Sequence, residues 1–377
     1  MRVTNASTTR NFTSSINDVH YKLNKSMNKV STGKAYESAA ENPLAYYEGK
    51  KIDNQYQDVI SKLGLITDVK SRLYEQELGA RDIQKTLSDA KVKVEYILSG
   101  TNNSNPTTVG TIRDDLMQKQ QAMVNELNSK YQNFYIYGGN DLSSTPFSLS
   151  EDGMTLTFKH VFPGDKTATE ITMELKEDPN NPGSYSYDIS DPDKLLQAMR
   201  EQGRVDIGYG DISNKDTLLD TYTGGLNLIT GLNSDSLKAM NDQDALKAIQ
   251  ERLDNSPIGL LGKSIATLNK QIDGLNNGTA DTDKFTEDMG KILDQMTLTE
   301  HNISTVYSDL GNKYALLETT EENLTNMKIS LTEQYKDKLG ADPYEAIMEM
   351  FSYQYSYSAA QQVATRLFQS SLFDFMR

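Results

Sequence analysis

The chain has 377 residues, with 38 Lys and Arg against 53 Asp and Glu, a net charge of −15 and a mean hydropathy of −0.60. That acidic balance argues against nucleic acid or an anionic membrane as partner, and no run of about 18 apolar residues exists to span a bilayer. The absence of cysteine excludes disulfides, thiolate catalysis and cysteine-ligated metals.

Length alone allows two or three domains. A hydrophobic content of 37% suits elongated helices better than a compact globule. Met1 to Ser15 is polar and lacks an apolar h-region, so no secretory signal peptide is expected.

Residues 12–30 carry apolar residues at steps of four and three: Phe12, Ile16, Val19, Leu23, then Ser26 and Val30. This spacing predicts an amphipathic helix ending before Gly33, which suits a C′ position. Asn42 and Pro43 restart the helix as N-cap and N1. A long apolar series then runs from Ile52 through Val59, Ile66, Leu73, Leu87 and Val94 to Ile97, with one slip of phase after Ile66. Gly49, Gly64 and Gly79 interrupt it, each at a cost of about 1 kcal/mol in a helix interior. Residues 100–110 are expected to form a loop by composition. A third helix is expected from Ile112 through Tyr131 and Phe134.

Residues 141–250 change texture. Five of the nine prolines lie between Pro146 and Pro192. Alternating triplets Met154/Leu156/Phe158, Ile171/Met173/Leu175, Tyr185/Tyr187/Ile189 and Val205/Ile207/Tyr209 predict strands separated by polar turns. The stretch 141–255 holds 10 Lys and Arg against 21 Asp and Glu, as expected of an acidic, outward-facing insertion. Helical spacing returns over Leu237–Leu275, broken at Ser256-Pro257.

Phe285 to Leu331 carries a heptad seam of fourteen positions, eleven of them apolar. Such a helix would run roughly 70 Å at 1.5 Å per residue. A narrow stripe of that length needs a partner of similar length, and 43–98 supplies the match. Asp342-Pro343-Tyr344-Glu345 forms a capping box. The last helix follows, with Met350, Tyr353, Tyr357, Ala360, Ala364 and Leu367 in register and Leu372, Phe373 and Phe375 at the chain end.

The expected fold is therefore mainly α with a β-rich insertion. It is an elongated antiparallel coiled-coil or helical bundle formed by N- and C-terminal segments. The expected domains are terminal helices 1–42 and 342–377, a bundle of 43–140 and 251–341, and the insertion 141–250. This arrangement sets both termini at one end and the insertion at the other.

No catalytic constellation stands out, and no cofactor is expected. His20, His160 and His301 are far apart, read best as lone surface residues, and no HExxH pair exists. Residues 257–264 (PIGLLGKS) mimic a phosphate loop but place proline where the motif needs glycine and lack a preceding strand. Asn241 to Asp244 lacks the glycine and terminal glutamate of a calcium loop, so a solvated helix start is expected. The terminal helices differ from ordinary bundle core. Tyr344, Ile347, Phe351, Leu372 and Phe373 have no evident cover, the pattern of an assembly surface. The expected assembly residues are Phe12, Ile16, Val19, Leu23, Val30, Ile347, Phe351, Tyr353, Tyr357, Leu367, Leu372, Phe373 and Phe375.

Five stretches resemble one family. Met1 to Asn5 (MRVTN) resembles its start. Val30 to Lys34 (VSTGK) followed by Ala39 to Pro43 (AAENP) is similar to the signature turn of the flagellin superfamily. Asn128 to Gly139 (NSKYQNFYIYGG), Asp309 to Glu318 (DLGNKYALLE) and Gln369 to Met376 (QSSLFDFM) resemble its later stretches. Together they cover about residues 1–140 and 285–377 and are similar to the flagellar hook-associated protein 3 family. Ala35-Tyr36 departs from the usual Arg-Ile. Phe134 stands where an upstream glycine often sits.

The resemblance implies a structural protein of the hook–filament junction in the bacterial flagellum, outside the cell, with no enzymatic activity. It implies a ring of like subunits, contacts with hook-associated protein 1 and flagellin, and unfolded export through the flagellar type III channel with a chaperone. Absence of cysteine fits such threading. The alternatives are a flagellin-type filament subunit, a flagellin-like enzyme with catalysis in the insertion, and a type III-secreted adhesin.

Overall fold

The computed structural model describes residues 5–139, 141, 143–201, 204–206, 218–220 and 224–375. The side chains of 5–6, 204–206, 218–220 and 366–375 lie outside that description. The fold is mainly α with small antiparallel sheets, as the periodicities predict. Two compact units form, one from Met1–Gly64 and Glu322–Arg377, the other from Leu65–Glu321.

The helix boundaries follow local chemistry. Helix α1 (Asn5–Thr32) stops at Gly33, whose φ of +67° costs glycine nothing. Helix α2 (Pro43–Leu98) opens with the Asn42 side chain accepting from the Ala45 N–H at 3.1 Å. Helix α3 (Pro106–Leu127) begins six residues earlier than the apolar pattern suggests. Asn105 caps it by accepting from the Thr107 N–H at 2.9 Å, and Pro106 takes N1. The loop expected over 100–110 is thus reduced to a short turn, and Gly110 lies inside the helix.

The third helix also ends earlier than expected. Tyr131 and Phe134 lie not on α3 but on the strands β1 (Lys130–Tyr131) and β2 (Phe134–Tyr135), paired antiparallel. Gln132 and Asn133 form the two-residue turn with φ of 47° and 72°, the positive pair that matches strand twist in a hairpin. No glycine marks the turn, which is why an apolar count ran through it.

The insertion contains a four-stranded antiparallel meander: β3 (Phe147–Leu149), β4 (Thr155–His160), β5 (Thr169–Glu177) and β6 (Tyr185–Ile189). Leu156, Phe158, Ile171, Met173, Leu175 and Tyr187 point inward and are buried. The outer face carries ion pairs such as Lys159–Glu170 at 2.7 Å and Lys176–Asp188 at 2.7 Å. Helix α4 (Pro192–Arg200) follows, then the paired strands β7 (Arg204–Asp206) and β8 (Leu218–Asp220). Ile207 and Tyr209 of the fourth expected strand lie outside the described residues.

His160 is not a surface residue. It continues the inward alternation of β4 and is buried, its ring 5.7 Å from Phe158 and 4.9 Å from Phe162. Burial pushes its imidazole below the ordinary value, against the opposing pull of the Asp141 and Glu201 carboxylates. His20 and His301 are exposed as expected.

Helices α5 (Gly225–Thr230), α6 (Ser234–Ala239), α7 (Asp242–Asp254) and α8 (Pro257–Asn277) lead back to the bundle. Residues 257–264 are the buried first turns of α8, capped by Ser256, rather than a phosphate loop. Gln120 of α3 ties α8 to the sheet's edge. Its Nε2 donates to Gly153 O at 2.9 Å and to Ile258 O at 3.1 Å.

Helix α9 (Thr282–Leu339) carries the heptad seam. In the larger unit Phe285, Met289, Ile292, Met296, Ile303, Leu310 and Leu317 are buried. The polar member Thr299 is satisfied by donating to Asn255 O at 2.7 Å, and Lys313 swings out to Asp309 at 2.8 Å. Here α2 and α9 run antiparallel. Lys70 meets Glu321 at 2.7 Å, Arg81 lies over the Tyr307 ring at 4.5 Å and Lys91 meets Glu300 at 3.6 Å. The last helix is α10 (Pro343–Phe375), whose Asp342 cap accepts from the N–H groups of Tyr344 and Glu345.

Candidate assembly surface

The terminal unit is organised by its two helix connections. Gly33 and Lys34, just after α1, pair with Gly340 and Ala341, just after α9. The Ala341 N–H donates to Gly33 O at 2.9 Å, and the Ala35 N–H donates to Leu339 O at 2.7 Å. The VSTGK turn thus fixes where α1 ends relative to where α10 begins. Beside it, Gly49 of α2 leaves the space taken by the Leu339 side chain. Lys338 meets Glu48 at 2.8 Å, a second tie between α2 and α9 within this unit.

From that anchor α1 and α10 pack antiparallel. Lys29 meets Glu349 at 3.0 Å, and the rings of His20 and Tyr357 stand 5.2 Å apart. Glu41 accepts from Lys25 at 3.0 Å, which holds its carboxyl below the usual range. Half-exposed pairs of this kind contribute at most about 1 kcal/mol each. Their value is in fixing register.

The apolar contact between these helices is thin. Phe12, Ile16, Val19 and Leu23 on α1 are half-buried, as are Tyr353 and Tyr357 on α10. Only Ser26 and Ala346 are fully buried among the described side chains of α1 and α10. Ser26 satisfies its hydroxyl locally by donating to Leu23 O at 2.9 Å. One inward seam of α10 therefore reads Ala346, Met350, Tyr353, Tyr357, Ala360 and Ala364, again at steps of four and three.

A second seam faces away. Tyr344, Met348, Phe351 and Tyr355 also follow steps of four, three and four, and their exposures are 83%, 74%, 59% and 79%. Ile347, and Val30 on α1, are exposed as well. Val30, Ile347 and Phe351 are among the expected assembly residues; Met348 and Tyr355 are not, though they share the exposed seam. Their spacing from Tyr344 was the available signal. The side chains of Leu367, Leu372, Phe373 and Phe375 lie outside the described residues.

Among the described residues no cluster of three His, Asp or Glu could hold a metal ion, and no helix is long and apolar enough to cross a membrane. What α10 offers chemically is an apolar stripe of helical pitch flanked by polar residues, a surface suited to another helix.

No family model and no curated protein matches the chain. Solved structures do. It is similar at 9% identity to a structure assigned to a flagellar hook-associated protein of Vibrio parahaemolyticus, covering 80% of this chain and 100% of that one with a TM-score of 0.48. It is similar at 11% identity to hook-associated protein 3 of Legionella pneumophila, covering 76% and 98% with a TM-score of 0.40. It is similar at 15% identity to FlgL of Bacillus cereus, covering 78% and 100% with a TM-score of 0.36. These matched structures come from flagellar hook-associated proteins, the family that the sequence motifs resemble.

Proposed function

We propose that this chain is a structural subunit of the bacterial flagellum, and within it a junction protein between hook and filament. The observation that carries this reading is the outward seam of α10, Tyr344, Met348, Phe351 and Tyr355, left exposed while the inward seam already faces α1. Fully burying such side chains contributes about 1.5–3 kcal/mol apiece, enough for a few of them to hold a neighbouring subunit. The terminal motifs support the flagellar assignment, since the VSTGK turn sits where it sets the pairing of α1 and α10.

In this reading the partners are like subunits in a ring, hook-associated protein 1 on the hook side, flagellin on the filament side and an export chaperone. The terminal helices 1–42 and 342–377 form the assembly part, 43–140 with 251–341 the bundle, and 141–250 the insertion. The role is structural, with no catalysis, and the site of action is extracellular.

A filament subunit is the second reading, favoured by the same terminal seams. Immunogold labelling of intact flagella separates the two. Label confined to a band at the filament base supports the junction role. Label along the whole filament overturns it.

A further inference from the structure

Sulfur enters this chain only as methionine, with 14 such residues and no cysteine. An oxidant that reaches the protein therefore meets thioethers and no thiol, and exposure sets which one it finds first. Met173 in the sheet and Met289 and Met296 on α9 are fully buried, at 0% exposure. Met27, Met240 and Met327 are exposed in part. Met348 on α10 is 74% exposed, the highest value of any methionine among the described side chains.

Its place on the helix adds what exposure alone lacks. Met348 stands in the middle of the outward seam, with Tyr344 one turn before it, Phe351 one turn after and Tyr355 two turns after. Two residues on, Met350 belongs to the inward seam and is half-buried. One helix thus carries two neighbouring thioethers in contrasting surroundings. The two oxidation states of such a sulfur tolerate different partners. The thioether is apolar and packs well against aromatic rings. The sulfoxide is polar, and its oxygen has to keep its water or find a donor. A neighbour packed on the seam would strip that water away.

We infer that Met348 is an oxidation site that regulates the outward seam. In the free subunit a hydroperoxide converts its thioether to the sulfoxide, and the oxidised seam no longer holds a neighbour. The effect on assembly rests on the reading of that seam as a subunit contact; the oxidation does not. A sulfur lone pair attacks one peroxide oxygen and forms the S–O bond. The O–O bond breaks, and the second oxygen leaves with the electron pair. The proton on the transferred oxygen passes to the leaving hydroxide through solvent and gives water. Sulfur loses two electrons and the peroxide gains two. Methionine sulfoxide reductases reverse the step.

The first arm of the test treats the full purified chain with dilute hydrogen peroxide and follows each methionine by peptide mass spectrometry. Met348 is expected to oxidise several-fold faster than Met350, and Met289 and Met296 slowest of all. Equal rates in the folded chain overturn the proposal. The second arm counts attached filaments on cells that build flagella in dilute peroxide. Wild type should lose filaments several-fold. Met348→Leu keeps an apolar side chain that takes up no oxygen, and it should keep its filaments. Equal loss in both strains overturns the proposal. Met348→Gln without peroxide separates this outcome from a failure of the seam reading, because it sets a polar group of similar length at the same place. If that variant sheds filaments while peroxide strikes wild type and Met348→Leu alike, oxidation control falls and the seam reading stands. Normal filaments on the glutamine variant bring down both.

Discussion

The Tyr137 hydroxyl donates to Gln76 O at 2.7 Å and occupies the place that a side chain on Gly79 would fill. This contact docks the end of the β1–β2 hairpin stretch against α2. Gln76 answers it, its Nε2 donating to Ile136 O at 2.7 Å. Gly79→Ala should therefore destabilise the chain by about 1–3 kcal/mol, because overpacking against Tyr137 outweighs the helix propensity gain of about 1 kcal/mol. Tyr137→Phe in the same chain should recover part of the loss. Gly64 is the control. A Cβ there meets open space, so Gly64→Ala should stabilise by about 1 kcal/mol. Urea unfolding of the variants reads both signs.

His160 makes stability depend on pH. Its imidazole sits below the ordinary histidine value of 6.5 when folded, so the unfolded chain binds a proton that the folded chain refuses. This contribution is intact above the unfolded value and is lost as pH falls below it. Asp141 faces the same group. Burial raises its carboxyl, but the hydroxyls of Ser144 and Ser143 and the N–H groups of Ser143 and Val161 more than offset that. Its own stabilising effect thus persists above the usual carboxylate range and fades only in stronger acid. The urea midpoint should fall between about pH 7 and about pH 5, and His160→Phe should flatten that slope. An unchanged slope in the variant would remove His160 as its source.

The long elements were legible because their signal repeats. The seam from Phe285 to Leu331 holds through mostly buried residues, with Val306, Lys313 and Thr320 half-buried and Met327 exposed. What failed was local. Asn105-Pro106 is the same start signal as Asn42-Pro43, but the surrounding polar residues masked it. The hairpin turn at Gln132-Asn133 adopts positive φ without glycine, so composition could not announce it. His160 was readable as core from the alternation Leu156, Phe158, His160, but residue type was weighed above period. On α10 one seam was found and the parallel one only in part, since two stripes on one helix blur each other.

The α1–α10 pair should be the least protected part of the chain in the free monomer. Its described side chains include only Ser26 and Ala346 as fully buried, whereas α2 alone contributes Val69, Leu73, Ile83, Leu87, Val94 and Ile97 in the larger unit. Most helix stability in proteins comes from packing, and these helices have little of it. Amide exchange should be fast over 8–30 and 345–365 and slow over 69–97. Equal protection in both would show that the pair is stable before assembly.

The central claim is that the outward seam of α10 holds a neighbouring subunit and does not hold this chain together. The direct measurement is the fraction of cells with attached filaments when Met348, Phe351 and Tyr355 are all changed to Ser, with the melting of the purified variant as its companion. The seam is solvent-exposed, so the melt should stay within about a degree of wild type. Export should continue, and filaments should be shed or never start. Normal numbers of attached filaments would contradict the claim, as would a melt lowered by several degrees, which would place these side chains in the fold itself.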